Sequence, residues 1–343
     1  MLCAPDHNSP ARPASSMSSP MPTSPVVVIT GASSGIGRAT ALAFARQRAR
    51  VVLAARNPEA LELVAAQCMR LGAQALVVPT DVADAKAVRA LAAAALRRFG
   101  GIDVWVNNVG VGAIGRFEAT PMEAHRRVIE SNLLGHMHGA HAVLPHFRSQ
   151  GAGVLINMIS LGGWVPTPYA AAYVASKFGL RGWSATLRAE LSDTPGVHVC
   201  DVAPAFVNTP GLRHGANFTG RRLSGPPGMS DPDHVAAVIV RLARKPRPTT
   251  WLGVPSLPGR LAQAAVPGLV GRIAKWVTDR ALAKAERTPI SQGNLFDASR
   301  YPAVHGSPKP PAPVSHMQLA LGVALLGAVA IGAVLIVRAR ERD

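Results

Sequence analysis

The chain has 343 residues, 48% of them hydrophobic, and a formal net charge of +17. That length and apolar share suit one large α/β domain with extensions and exclude a chain too polar to bury a core. The positive charge is spread rather than gathered in runs, and no nucleic-acid-binding motif accompanies it, so no nucleic-acid partner is expected. Two readings of the charge stand: an arginine-rich composition, or an anionic partner such as a membrane surface or a phosphorylated cofactor. Cys3, Cys68 and Cys200 have no metal-ligand spacing, so neither a metal site nor a disulfide framework is expected, which fits a reducing compartment.

Residues 1–25 hold six prolines and six serines with no apolar period, which predicts a disordered leader without the character of a signal peptide. From Val26 apolar runs alternate with helical patterns. Strands are predicted at VVVIT, RVVLAAR, AQALVVPTDV, IDVWVNNVG, GVLINMIS and VHVCDVAP. Between them lie helical stretches such as PEALELVAAQCMRLG and the run Ala171 to Leu191. Such alternation predicts βαβ units in a Rossmann-type doubly wound parallel sheet of about seven strands over residues 26–257. Residues 258–288 form a basic, amphipathic helical extension that either lies on a membrane or packs on the domain. Residues 289–316 read as a Pro-rich linker. Residues 317–337 are 21 positions without a charge, long enough to cross a bilayer as a helix. These features predict a single-pass membrane protein whose large domain faces the cytoplasm.

The stretch TGASSGIGRA follows the first predicted strand and opens the first helix. A glycine-rich turn there is either a tight corner or a cradle in which free backbone N–H groups meet an anion. Three later stretches favour the cradle: NNVG at 107–110, Ser160 after LINMI, and YVASK, which sets Tyr173 and Lys177 four apart on one helical face. Carbonyl reduction needs a proton donor at the oxygen, and an ammonium beside a phenol lowers the phenol's pKa. Ser160 is placed to hydrogen-bond the same oxygen.

In order and spacing these motifs resemble the short-chain dehydrogenase/reductase family, over roughly residues 26–255. The resemblance implies an oxidoreductase acting on a carbonyl/alcohol pair, with Tyr173 as acid/base, Lys177 tuning it, Ser160 orienting the oxygen and Asn132 supporting a proton relay. It also implies a nicotinamide dinucleotide held by Gly31, Ser33, Ser34, Gly35, Ile36 and Gly37 of the turn. Further cofactor contacts are implied at Asp81, Val82, Asn107, Asn108, Gly110, Val207 and Thr209, besides Tyr173 and Lys177. Ala205 and Val109 stand where the family usually has Gly and Ala. NAD-preferring relatives carry an Asp where this chain has Ala55; with Arg56 and Arg38 nearby, NADP(H) is the expected cofactor. Relatives imply a homodimer or homotetramer. The apolar stretch at Trp164, Val165 and Pro166 and the membrane tail suggest a lipophilic small-molecule substrate, and residues 211–230 read as a substrate lid. The rival reading is a non-catalytic, membrane-bound NADP(H) sensor or scaffold.

Overall fold

The computed structural model describes residues 24–223, 225, 229–253, 263–298 and 303–306. The expected leader (1–25) therefore lies almost wholly outside the described residues, and the apolar stretch 317–337 lies entirely outside them. Among the described residues no helix is long and apolar enough to cross a membrane.

Seven parallel strands make the main sheet, in the order β3-β2-β1-β4-β6-β7-β9. They are β1 (Val26–Thr30), β2 (Arg50–Ala55), β3 (Gln74–Pro79), β4 (Val104–Asn107), β6 (Gly153–Met158), β7 (Val197–Pro204) and β9 (Thr249–Leu252). A two-stranded parallel pair, β5 (Ala113–Ile114) with β8 (Ala216–Asn217), stands apart. The strand runs are β-branched and nearly unbroken in apolar character because helices cover both faces. Alternation along β1 sorts its side chains: Val27 and Ile29 join the core on one face, Val26 and Val28 the core on the other. The first core is closed by α1 (Gly35–Ala45), α2 (Pro58–Arg70) and α8 (Pro232–Arg244); the second by α3 (Ala85–Phe99), α5 (Gly135–Gln150) and α6 (Ala171–Glu190). Trp105 and Phe147 fill the second core without exposure.

Strand order reverses between β1 and β4, and their carboxyl ends open the crevice where such sheets take ligands. The helix starts differ there. Asn57, Asp84 and Asp231 cap α2, α3 and α8 with side-chain hydrogen bonds to backbone N–H groups. At α1 the Ser34 side chain makes no such bond, which leaves its first amides to another acceptor.

The C-terminal part holds a helix, α9 (Pro267–Lys284), with no buried residue. It is pinned by Asp279, which accepts a hydrogen bond from the Tyr169 hydroxyl. The stretch read from sequence as a linker packs on the domain where it is described: Leu295 is fully buried beside Val111, Val128 and Ala216. One buried leucine contributes about 1.5–3 kcal/mol of transfer free energy to docking a segment whose average composition is polar, and backbone hydrogen bonds such as Asn294 N–H to His214 O add to it.

Candidate active site

The glycine turn has the geometry of a cradle. Gly31 and Gly35 have φ of +67° and +52°, a region disfavoured for other residues. A Cβ on Gly37 would strike the Gly31 carbonyl and come within 2.7 Å of Asn108 Nδ2. Asn108 clips the turn in place: its N–H donates to Thr30 Oγ1 (3.0 Å) and its Nδ2 to Thr30 O (3.1 Å). Ser34 precedes α1 with extended backbone, Ile36 packs into the first core, and Ser33 is half-buried. The Gly35 N–H donates 2.8 Å to a carbonyl oxygen, that of Ala303. A helix-start amide over a floor with no room for Cβ atoms fits the diphosphate of a dinucleotide.

Neighbouring Asn107 does something else. It faces the opposite side of β4, buried, donating to His136 O and Asn157 Oδ1 and accepting from Trp105 Nε1. Its expected contact with the cofactor is thus corrected: strand alternation turns it into the core and leaves Asn108 at the crevice.

At the end of β6, Ser160 Oγ accepts from the Gly162 N–H at 3.1 Å. Tyr173 and Lys177 rise from α6. The half-buried Tyr173 ring lies against Gly162, where a Cβ would sit 3.2 Å from Cε1. Lys177 Nζ donates to Met158 O at 2.7 Å and lies 5.8 Å from the Tyr173 ring centroid. Burial pushes the Tyr173 phenol above its usual pKa, and a hydrogen bond with Ser160 works the other way. Burial pulls the Lys177 ammonium down to about 7.

That lysine gives a pH prediction. Its folded pKa is depressed, so between about 7 and its ordinary 10.5 the unfolded chain binds more protons and stability rises with pH. Chemical denaturation from pH 7 to 9 should therefore show rising stability, on the order of a few kcal/mol. Lys177→Met should flatten the rise; an unchanged slope in that variant would sink the assignment.

Asn132 occupies a single π-turn, Glu130–Leu134, between α4 (Met122–Ile129) and α5. It clamps the backbone after the NNVG stretch, donating to Val111 O and accepting from Val111 N, each at 2.8 Å, and reaches Ser176 Oγ at 3.2 Å. Gly110 is open to the crevice, and a Cβ on it would lie 3.9 Å from Lys177 Nζ. Val207 and Thr209 close the far side, Thr209 touching the place a Gly35 Cβ would take. Val82 packs against Gly135, and its carbonyl meets the His138 ring.

The two arginines expected at a 2′-phosphate are both engaged. Arg38 Nη2 donates to Gln67 Oε1, while its Nε is buried without a partner. Arg56 is ringed by the backbone carbonyls of Asn294, Leu295, Phe296 and Asp297. Burial lowers its pKa, and the Asp81 carboxylate counters this. Asp81 itself is paired with Arg127; burial works to raise its carboxyl, but the hydrogen bonds from Arg127 and from the Ala83 N–H hold it below the usual range. Arg127 was not foreseen, and no local signal marks it, since the pair is 46 residues apart. Trp164 stacks edge-on against Trp251, their centroids 4.1 Å apart, with the Arg181 guanidinium over its ring.

A profile of the short chain dehydrogenase family matches residues 25–217. The chain is similar to the uncharacterized oxidoreductase YxnA of Bacillus subtilis, 33% identical over 285 residues, spanning 80% of this chain and 78% of that one. It is similar also to the ketoacyl reductase HetN of a Nostoc species, 32% identical over 64% of this chain and 75% of the other. Among solved structures, an alcohol dehydrogenase from the archaeon Thermococcus sibiricus, complexed with 5-hydroxy-NADP, superposes with a TM-score of 0.59. It is 32% identical and covers 68% of this chain and 97% of its own. With the sheet, the glycine cradle and the Ser160, Tyr173 and Lys177 group already in place, these likenesses make the chain a member of the short-chain dehydrogenase family of oxidoreductases.

Proposed function

We propose that the chain is an NADP(H)-dependent oxidoreductase interconverting a carbonyl and an alcohol on a lipophilic substrate. The observation that carries this is the packing of Tyr173 between Ser160 and buried Lys177, at the crevice that the glycine turn opens into. A nicotinamide dinucleotide, when bound, supplies or accepts the hydride. Gly31, Ser33, Ser34, Gly35, Ile36 and Gly37 would hold its diphosphate, with Val207, Thr209 and Gly110 toward the nicotinamide and Asp81 and Val82 at the adenosine end. Tyr173, kept protonated at neutral pH by burial, gives its proton to the carbonyl oxygen in the reductive direction. Ser160 holds that oxygen in line. Lys177 supports the phenolate that results, and Asn132 keeps the backbone after Gly110 in register with α6. Arg56 and Arg38, with Ala55 uncharged beside them, favour the phosphorylated dinucleotide, as does the ligand of the Thermococcus enzyme.

The substrate reading rests on the loop after Ser160 and on α9. Leu269, Ile273, Trp276 and Val277 are exposed along one side of α9, with Arg272 and Lys284 on the same helix. A basic helix with an unburied apolar stripe suits a membrane surface, and Asp279 ties it to Tyr169 in the loop beside the site. Residues 317–337 would anchor the chain in a membrane, with the oxidoreductase domain on its cytoplasmic side, and relatives imply a homodimer or homotetramer.

The test is consumption of NADPH and NADH by the detergent-purified full chain over short and long-chain aldehydes, ketones and steroids. NADPH should be preferred by roughly 10- to 100-fold, the value of one or two charge-assisted hydrogen bonds. Equal use of both, or turnover confined to short hydrophilic carbonyls, would overturn the cofactor or the substrate half respectively. NADPH binding with no turnover on any substrate would favour the sensor reading.

A further inference from the structure

The dinucleotide crevice is already filled by the chain itself. Two described stretches lie along it: residues 291–298, which reach Arg56, and residues 303–306, which reach the Gly35 amide and Asn208. Ser291 bridges Asn217 of β8, and the Asn294 N–H donates to His214 O. Leu295 then plugs the apolar hollow under α4, and its carbonyl accepts from Arg127 Nε at 3.0 Å, beside the Arg127–Asp81 pair. Next, four successive carbonyls, from Asn294 to Asp297, take the Nη1 and Nη2 groups of Arg56 two apiece. The four terminal N–H groups are thus each taken by a carbonyl, so a phosphate could meet the Nη edge of the fork only by displacing them. Farther along, Ala303 O sits on the Gly35 N–H, and the Gly306 N–H donates to Asn208 O at 3.0 Å.

The strap carbonyls on Arg56 and on the Gly35 N–H occupy donors that the dinucleotide reading assigns to phosphate oxygens. The carbonyls on Arg56 replace a 2′-phosphate; Ala303 O replaces a diphosphate oxygen. The Asp297 carboxylate adds attraction toward Arg56, as a phosphate would. We propose that residues 291–298 and 303–306 act as a self-ligand strap, an autoinhibitory contact that competes with NADP(H) for the cradle and for Arg56. The inference rests on the dinucleotide reading given above. A cover closing over bound dinucleotide would leave the Gly35 amide and the Arg56 fork free for it; here both are spent on the strap. Dinucleotide binding then requires displacement, and its apparent affinity is reduced by the fraction of chains with the strap unseated.

The strap has two weak points that make variants possible without touching the cradle. Gly293 has φ +51°, and a Cβ there would strike the His214 and Gly215 carbonyl groups. A Cβ on Gly306 would strike the Thr209 carbonyl. Gly293→Val and Gly306→Val, made separately in the full chain, unseat the two ends independently. A melting curve for each checks that the domain remains folded. NADPH is titrated by energy transfer from protein tryptophan to the nicotinamide, and amide hydrogen exchange is followed with and without NADPH. Both variants should bind NADPH at least about fivefold tighter than the parent. In the parent, NADPH should speed exchange in peptides covering 291–297. Binding that is unchanged or weaker in both folded variants, or slower exchange of 291–297 with NADPH, would overturn the strap and leave the dinucleotide reading intact. No NADPH binding by the parent or by either folded variant would overturn both.

Discussion

Tyr173→Phe should lower turnover with the best carbonyl substrate by about a thousandfold or more, within the range that one acid/base group contributes. NADPH affinity should stay within about threefold of the parent. The substitution removes one oxygen and keeps the ring, so its packing against Gly162 and beside Lys177 persists. Nothing nearby replaces the lost proton donor. Lys177 Nζ is buried and donates to Met158 O, and the Ser160 hydroxyl, an alcohol, is a far weaker acid than a phenol. The melting temperature should therefore change little while the chemistry stops. Stopped-flow reduction at saturating NADPH separates the two effects, because it reports the chemical step after binding is complete. A Phe variant keeping more than a tenth of the parent rate would remove Tyr173 from the acid/base role. The direction of the Tyr173 shift sharpens the test. Burial keeps the phenol protonated at neutral pH, so reduction should persist through pH 7 and fall at high pH, as the proton donor is lost.

The sheet was legible in the sequence because its signal is local. VVVIT, GVLINMIS and VHVCDVAP are short apolar runs bounded by turn residues, and each became a strand starting at its first residue. The nearness of Tyr173 and Lys177 was legible for a related reason: they lie four apart on α6, and Ser160 follows two residues after the strand before it. What stayed hidden depends on contacts far apart in the chain. Asn107 and Asn108 are identical side chains at adjacent positions, and only the pleat of β4 decides which one meets the glycine turn. Arg56 read as a free cation because its partners lie about 240 residues away and are backbone carbonyls, which carry no side-chain signature. Residues 291–306 read as a linker because their composition is polar and glycine- and proline-bearing; the docking rests on one leucine and on backbone hydrogen bonds.

Gly37→Ala should be the most damaging single-methyl change near the cradle, costing about 100-fold or more in NADPH affinity and about 1–3 kcal/mol or more in stability. The reason is which atoms the methyl meets. A flexible side-chain tip could swing away; the Gly31 carbonyl cannot, since it belongs to a turn fixed to β1 at a left-handed residue. The methyl also presses on Asn108 Nδ2, at 2.7 Å, the atom that donates to Thr30 O and holds the turn in register with β4. Relief of either clash moves the Gly35 amide, so the diphosphate cradle is lost together with packing. Gly182→Ala is the matched control. It lies within α6, and a Cβ there meets nothing within 4 Å, so it should be neutral or stabilise by up to about 1 kcal/mol through helix propensity. Urea denaturation and NADPH titration of the two variants side by side decide the matter. If Gly37→Ala loses stability but binds NADPH like the parent, the glycine serves packing alone. If it loses affinity far beyond its loss of stability, the close approach of α1 to Gly31 exists to aim the helix-start amides at an anion.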